Sequence, residues 1–178
     1  MAKQLVLIRG CQGSGKSTTA SVWAAGVESR WYEADAYFTD INGIYDFNRD
    51  YLVDAHKWCL MKTKMALSNE EVERVVVSNT FSTLWEMRPY IDSAKEAGAA
   101  LRVICIYGEH GSIHRVPKDV IDSVKARFEP YVGEYLCCSS RSDITKLVEA
   151  YPKYKGCEVS LPDDGTMPQV LAVKNEDA

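Results

Sequence analysis

The run "QLVLIRGCQGSGKSTTA", residues 4 to 20, restricts the fold more than any other part of the chain. Its first residues, "QLVLI", are rich in Val, Ile and Leu, the composition of a short strand. Gly10, Gly15, Lys16 and Ser17 then satisfy the spacing G-x-x-x-x-G-K-[ST], with a further glycine at Gly13, and a helix-compatible run follows. A strand, a glycine turn and a helix in that order make a loop whose backbone N–H groups converge on phosphate oxygens. The backbone from Gly13 through Ser14, Gly15, Lys16, Ser17 and Thr18 is expected to cradle the phosphates. Lys16 then reaches the β and γ phosphates, and the Ser17 hydroxyl coordinates Mg2+. The expected cofactors are ATP and Mg2+, with GTP left open as donor.

Short apolar blocks separated by helical patterns continue beyond the loop. "WYEA" (31 to 34) is a weaker strand candidate, and "RDYLVDAHKWCLMKTKMALS" (49 to 68) reads as a broad amphipathic helix capped by Asn48. It has apolar or small residues at Leu52, Ala55, Cys59 and Ala66, with Trp58, Met61 and Met65 beside them. "RVVVSN" (74 to 79) and "LRVICIY" (101 to 107) are β-branched runs that suit strands covered on both faces, and "LWEMRPYIDSAKEAG" between them is a helix closed by Gly98. The order β, α, β, α, β, α, β predicts a parallel sheet with right-handed helical crossovers. Beyond Tyr107, "GEHGSIHR" is polar and aperiodic and leads into a helix entered near Pro117. A further helix is expected at "SDITKLVEAY" with Ser142 as its cap. The expected organisation is one domain over 1–155 with a lid near 108–116. A tail over 156–178 follows, with a short strand at Val170 to Val173 and then a charged, frayed end.

Charge and cysteine content narrow the possible partners. The net charge is −4, so the surface as a whole does not attract polyanions, and any contact with nucleic acid must be local and transient. Six cysteines lack CxxC spacing and zinc-spaced histidines, which fits reduced thiols in a cytoplasm. No apolar run reaches the roughly 18 residues of a membrane span, and the four apolar residues before Arg9 are too few for a signal-peptide core. Neither a membrane nor export is expected, and nothing specifies an oligomeric state.

In a parallel sheet of this kind, ligands gather at the carboxyl ends of the strands. After the second strand comes "EADAYFTD", where Asp35 stands in place to accept the proton of an attacking hydroxyl. Asp40 and Asp46 flank a turn around Asn42 and Gly43 and read as solvated loop residues. The third strand ends in Ser78 and Asn79, where many phosphate-loop ATPases carry an acid for Mg2+. That absence points away from a hydrolytic motor and toward a kinase whose metal is held by Ser17 and the substrate phosphates. Arg88, His114, Arg115 and Arg127 are the cations available to meet the charge of a phosphoryl group in flight. Arg115 sits in the lid segment just before a helix. His110 and His56 have no partner at readable spacing and read as packing or surface residues.

Together "RGCQGSGKST", "EADAYF", "VVVSNTF" and "IHRVPKDVIDSVKARFE" resemble the kinase domain of polynucleotide kinases. That group includes bacteriophage 5′-hydroxyl kinases, related phage kinases of hydroxymethyl bases, and the kinase-like domains of Nedd4-binding proteins. "NGIYDFNRDYLVDAHKWC" and "NTFSTLWEMRPY" look closest to the last of these, and the resemblance covers about residues 3 to 133. It implies a three-layer α/β fold of the P-loop kinase type, with a parallel central sheet, helices on both faces and a short lid. It also implies catalytic roles for Asp35 as base, for Lys16 on phosphate and for Ser17 on Mg2+. Asn79 matches the polar position near the acceptor, and Arg115 lies near the family's lid arginine. From the residues themselves, Arg127 at the nucleotide and Arg88 on the substrate side are the substitutes for Arg115. Between Tyr107 and Val116 the chain has only eight residues, where relatives carry a longer lid helix. Phe38 stands where the phage enzymes place a basic residue.

The reading that follows is transfer of the γ phosphate of ATP to a hydroxyl of a nucleic acid, DNA ahead of RNA. The acceptor would be a polynucleotide 5′-hydroxyl or a hydroxymethyl group on a modified base such as 5-hydroxymethyluracil, to which a short lid leaves more access. If the gene is phage-borne, the compartment is the bacterial host cytoplasm. The acidic net charge favours a kinase of a free nucleoside or small metabolite instead. A nucleotide-binding module without transfer activity is the third reading.

Overall fold

The structure is a computed structural model that describes residues 3–111, 116–138, 142–162 and 166–173. Its strands are β1 (Gln4–Arg9), β2 (Ser29–Tyr32), β3 (Arg74–Ser78), β4 (Ala100–Ile106), β5 (Tyr135–Cys137), β6 (Cys157–Ser160) and β7 (Gln169–Val173). Its α-helices are α1 (Lys16–Trp23), α2 (Leu52–Ser68), α3 (Leu84–Glu96), α4 (Lys118–Arg127) and α5 (Ser142–Ala150). Short 3-10 helices lie at Ala34–Phe38, Arg49–Tyr51 and Pro152–Tyr154. The strands form one sheet in the order β2-β3-β1-β4-β5-β7-β6. β2 pairs with β3, and β4 with β5, in parallel, as expected for strands joined through helices.

The end of the sheet departs from the expected tail. β7 pairs antiparallel with both β5 and β6. Parallel partners need a crossover of a dozen or more residues, and only 161–168 separate β6 from β7, so a reversal is the connection available. The strand expected at Val170 to Val173 forms, and Cys157–Ser160 adds one that the sequence did not announce. Among the described residues no helix is long and apolar enough to cross a membrane.

Contacts divide the chain into two compact units. The first comprises Met1–Leu7, Ser17–Asn79 and Arg88–Leu101. Its core joins Leu5 to Leu7 with Val75 to Val77 and with the inward face of α2. That face is Ala55, Cys59, Thr63, Ala66 and Leu67, the helical spacing of a single stripe. The stripe is narrower than the sequence suggested, because Leu52, Met61 and Met65 are exposed. Asn48 does act as a cap: its side chain accepts the Asp50 N–H at 2.9 Å, at the start of the 3-10 turn that leads into α2.

The second unit comprises Ile8–Lys16, Thr80–Met87 and Arg102–Ala178. Its core packs Phe128, Tyr151 and Tyr154 with Cys105, Val124, Leu136, Leu147 and Val170. A buried ion pair runs through it. Arg9 Nη1 meets Glu134 Oε2 at 3.1 Å with both side chains out of solvent, and the Arg9 guanidinium lies 4.3 Å from the Phe128 ring centre. Burial of two charges is tolerated only where their remaining hydrogen-bonding groups are used. Arg9 Nε and Nη2 donate to the Phe81 carbonyl at 3.0 and 2.6 Å. Glu134 Oε1 accepts from the Tyr131 N–H and from the Tyr154 hydroxyl.

Candidate active site

The phosphate loop lies in the second unit up to Lys16, and its shape follows from glycine. Gly10 has φ of +152°, and a Cβ built there would stand 2.5 Å from the Ile106 carbonyl oxygen and 2.6 Å from Ser14 Oγ. Such approaches exclude any larger residue. Beneath the loop, the Gly10 N–H donates to the Thr80 carbonyl and the Cys11 N–H to the Tyr151 hydroxyl. Lys16 Nζ donates to the Cys11 carbonyl at 2.9 Å, so the lysine folds back over the turn it closes.

Two polar atoms of this loop are out of balance with the rest of the core. Gln12 Oε1 and Ser14 Oγ are buried and find no hydrogen-bond partner among the described residues. Buried polar groups are normally paired, and a loop with spare ones is suited to a polar ligand. Positive charge gathers here as well. Burial pushes the Cys11 thiol pKa up, while the charges of Lys125, Lys16 and Arg127 pull it down. A nucleotide phosphate therefore fits this loop in both geometry and charge.

His110, set aside on sequence grounds, reaches the loop. Its backbone N–H donates to the Gly13 carbonyl at 3.0 Å, and a Cβ at Gly15 would stand 3.5 Å from its ring. The residues that follow β4 as far as His110 have no helical or strand periodicity, which is why no pattern announced the contact. Arg127 is tied down: its Nε donates to Ser82 Oγ at 3.0 Å. Lys125 on α4 approaches Glu109 at 3.5 Å. The expectation for Arg115, with that for His114, lies outside the described residues.

The first unit carries the carboxylates. Asp35 sits on the exposed side of the 3-10 helix Ala34–Phe38. The Ala34 N–H that opens this helix donates to Asn79 Oδ1 at 2.8 Å, and Asn79 Nδ2 faces the Cys59 sulfur at 3.6 Å. Asn79 is buried, with both ends of its amide engaged inside the protein. It therefore positions the segment that bears Asp35 rather than reaching outward to an acceptor. The charge of Asp35 is felt by Tyr45, whose pKa is raised by burial first and by Asp35 second. Asp40 is a turn residue, as read from the sequence: its Oδ1 accepts the N–H groups of Asn42 and Ile44, and these bonds lower its pKa. Arg88 is exposed on α3, and Thr18 is exposed on the first turn of α1.

The strand end that carries no acid in sequence has one in space. Glu33 Oε1 accepts from Ser17 Oγ at 2.8 Å and from Ser78 Oγ at 2.5 Å. Trp31 Nε1 donates to Ser78 Oγ at 2.9 Å. Ser17 offers a hard oxygen donor of the kind that Mg2+ prefers, with the Glu33 carboxylate hydrogen-bonded behind it. Glu33 was in plain view as the first acid of "EADAYF", but its distance along the chain from Ser17 hid the contact.

No family model matches this chain. It is 27% identical over 179 residues to human NEDD4-binding protein 2, an alignment that covers 93% of this chain and 10% of that protein. The chain thus spans about a tenth of the length of this curated relative. A gluconokinase from Sinorhizobium meliloti 1021 superposes with a TM-score of 0.53 at 18% identity, covering 84% of this chain and 90% of that one. A chain of the Pnkp1/Rnl/Hen1 RNA repair complex superposes with a TM-score of 0.51 at 17% identity, covering 99% of this chain and 50% of that one. At such identities the likeness is one of architecture: a mixed α/β chain with the fold of the P-loop kinases.

Proposed function

We propose that this chain is an ATP-dependent phosphotransferase whose acceptor is a hydroxyl of a nucleic acid. The observation that carries the kinase reading is Asp35, held exposed on a short helix whose first N–H is fixed by Asn79. A protein that only holds a nucleotide has no use for a carboxylate braced in that way. In the reaction, the acceptor hydroxyl gives its proton to the Asp35 carboxylate as its oxygen bonds to the γ phosphorus. The bond from that phosphorus to the β-γ bridging oxygen breaks, and ADP leaves. The loop N–H groups and Lys16 hold the phosphates, and Lys125, Arg127 or Arg115 supply further positive charge. Ser17 would hold Mg2+, which neutralises phosphate charge when bound.

Support for a nucleic-acid acceptor comes from the surface beyond Asp35. Tyr37, Tyr45, Phe47 and Tyr51 are each more than a third exposed in the same unit. Exposed aromatic rings near an acceptor suit stacked bases, which bind in a sequence-tolerant way. The architecture shared with a chain of an RNA repair complex supports that reading. A 5′-hydroxyl and a hydroxymethyl base are both admissible acceptors. A second reading, a kinase of a small metabolite, is favoured by the exposed acids Asp40, Asp46, Asp50 and Asp54, which repel a polyanion. It also matches the gluconokinase architecture.

The deciding experiment offers γ-labelled ATP with 5′-hydroxyl DNA, 5′-hydroxyl RNA, a duplex containing 5-hydroxymethyluracil, free nucleosides and gluconate. Labelling of one nucleic acid in large excess over every small molecule is the expected result. Preferential labelling of a nucleoside or sugar acid would move the assignment to the second reading.

A further inference from the structure

We propose that Glu33 is the carboxylate that tunes the Mg2+ position of this chain, acting through Ser17 in place of the acid missing from the end of β3. The proposal rests on the nucleotide-binding part of the reading above and not on the identity of the acceptor.

Glu33 has no local task that would explain it. It occupies the residue before the 3-10 helix with φ −132° and ψ 144°, yet its side chain caps nothing there. The carboxylate turns instead to two hydroxyls from distant parts of the sequence, Ser17 and Ser78, and both bonds land on Oε1. Oε2 is left outside this network. Ser78 is buried and receives the Trp31 indole N–H, so its own hydrogen is directed to Glu33. The chain of donors runs in one direction, from Trp31 through Ser78 to the carboxylate, and Ser17 donates into the same oxygen from the other side.

The consequence for Ser17 is chemical. A hydroxyl has one hydrogen and two lone pairs. With the hydrogen given to Glu33, the lone pairs remain for a hard cation, and the negative charge behind the bond makes the oxygen a better donor. Outer-sphere partners of this kind typically change metal affinity by about 10–100-fold. Glu33 is thus a positioning residue. It lies two places before Asp35, so one short segment carries both the acid behind Ser17 and the proposed base.

The test is calorimetric titration with ADP, with Mg2+ and with the metal chelated, on the full chain and on Glu33→Gln and Ser78→Ala. Mn2+ bound to the ADP complex is counted in parallel by electron paramagnetic resonance. We expect Glu33→Gln to leave metal-free ADP binding within about twofold, while the gain in affinity from Mg2+ and the affinity for Mn2+ fall about 10–100-fold. Ser78→Ala should move both in the same direction by less, since the charge is kept. A folded Glu33→Gln protein whose ADP affinity gains as much from Mg2+ as wild type overturns the proposal, and so does a lower melting temperature with unchanged metal dependence. No acceptor enters this assay, so a failure to phosphorylate nucleic acid leaves its result standing, and the reverse also holds.

Discussion

The Ala34 N–H donates to the Asn79 side-chain oxygen at 2.8 Å, which fastens the end of β3 to the helix that displays Asp35. An exposed catalytic carboxylate needs such bracing, because a small displacement of a base from its line of attack costs orders of magnitude in rate. Asp35→Asn is expected to remove phosphoryl transfer while leaving the ADP dissociation constant within about twofold, since the role proposed for the residue is toward the acceptor. Asn79→Leu should cost about 1–3 kcal/mol of stability from an unpaired buried N–H, and should lower kcat more than it raises KM for ATP. Transfer by Asp35→Asn at wild-type rate would refute the assignment of the base.

Gly10 carries a second prediction. A methyl group there meets the Ile106 carbonyl oxygen at 2.5 Å and Ser14 Oγ at 2.6 Å, with φ at +152°. The Ile106 oxygen is backbone and cannot turn aside, and Ser14 Cβ stands 3.4 Å away behind the hydroxyl. Gly10→Ala is expected to cost about 1–3 kcal/mol in urea unfolding and to weaken ADP binding at least tenfold by displacing the loop. Gly98→Ala serves as the control, because φ is +62° there and a Cβ meets nothing within 4 Å. Its stability loss should come without any change in ADP affinity. Equal binding losses in the two variants would mean that the loop's shape does not depend on Gly10.

The buried pair of Arg9 and Glu134 predicts a strong coupling. Removing one partner strands a charge in the core, so Arg9→Met alone should cost about 3–5 kcal/mol. The pair also fixes the Phe81 carbonyl, and Phe81 has φ of +45°, which a non-glycine residue adopts only when held. Repair by the double variant Arg9→Met/Glu134→Leu is therefore partial. Its loss should fall short of the sum of the two single losses by at least about 2 kcal/mol, measured from denaturant midpoints. Simple additivity would mean that the two charges are independently solvated.

What the sequence disclosed about this molecule divides along a physical line. Features written in local order were legible: the strand, turn and helix around Gly10 to Ser17, the turn held by Asp40, the cap at Asn48, and the helix closed near Gly98, whose φ is +62°. Features made by chain reversal or by distant side chains were not. β6 is short and ordinary in composition, and it becomes a strand only because β7 folds back onto it. Glu33 looks like any acid after a strand until Ser17 and Ser78 are brought to it. Arg9 and Glu134 sit far apart in the chain, and a charged pair in a core has no periodic signature. Asn79 follows β3 directly, as the strand pattern implied, but its direction, inward to Ala34, is a property of packing.

Glu129 predicts how stability should vary with acid. Its Oε2 accepts the Leu84 N–H, one of the unpaired donors in the first turn of α3, at 2.7 Å, and Lys153 approaches its other oxygen at 3.2 Å. The Leu84 bond is the main reason that the Glu129 carboxyl pKa lies below its ordinary value, with Lys153 a lesser cause. A carboxylate whose pKa is depressed by folding contributes stability that is fully present above its unfolded pKa, about 4.3, and is lost as pH falls through the lower folded value. A charge at a helix N-terminus contributes about 0.3–1 kcal/mol, which for a chain of this size is about 1–4 °C in Tm. Glu129→Gln should therefore melt lower than wild type by about that amount at pH 7. The gap should narrow as pH falls below about 4.3, leaving only the difference between two neutral acceptors. Melting curves across pH 3 to 7 make the comparison, and a gap that stays constant or widens in acid would show that the charge on Glu129 does not stabilise the helix start.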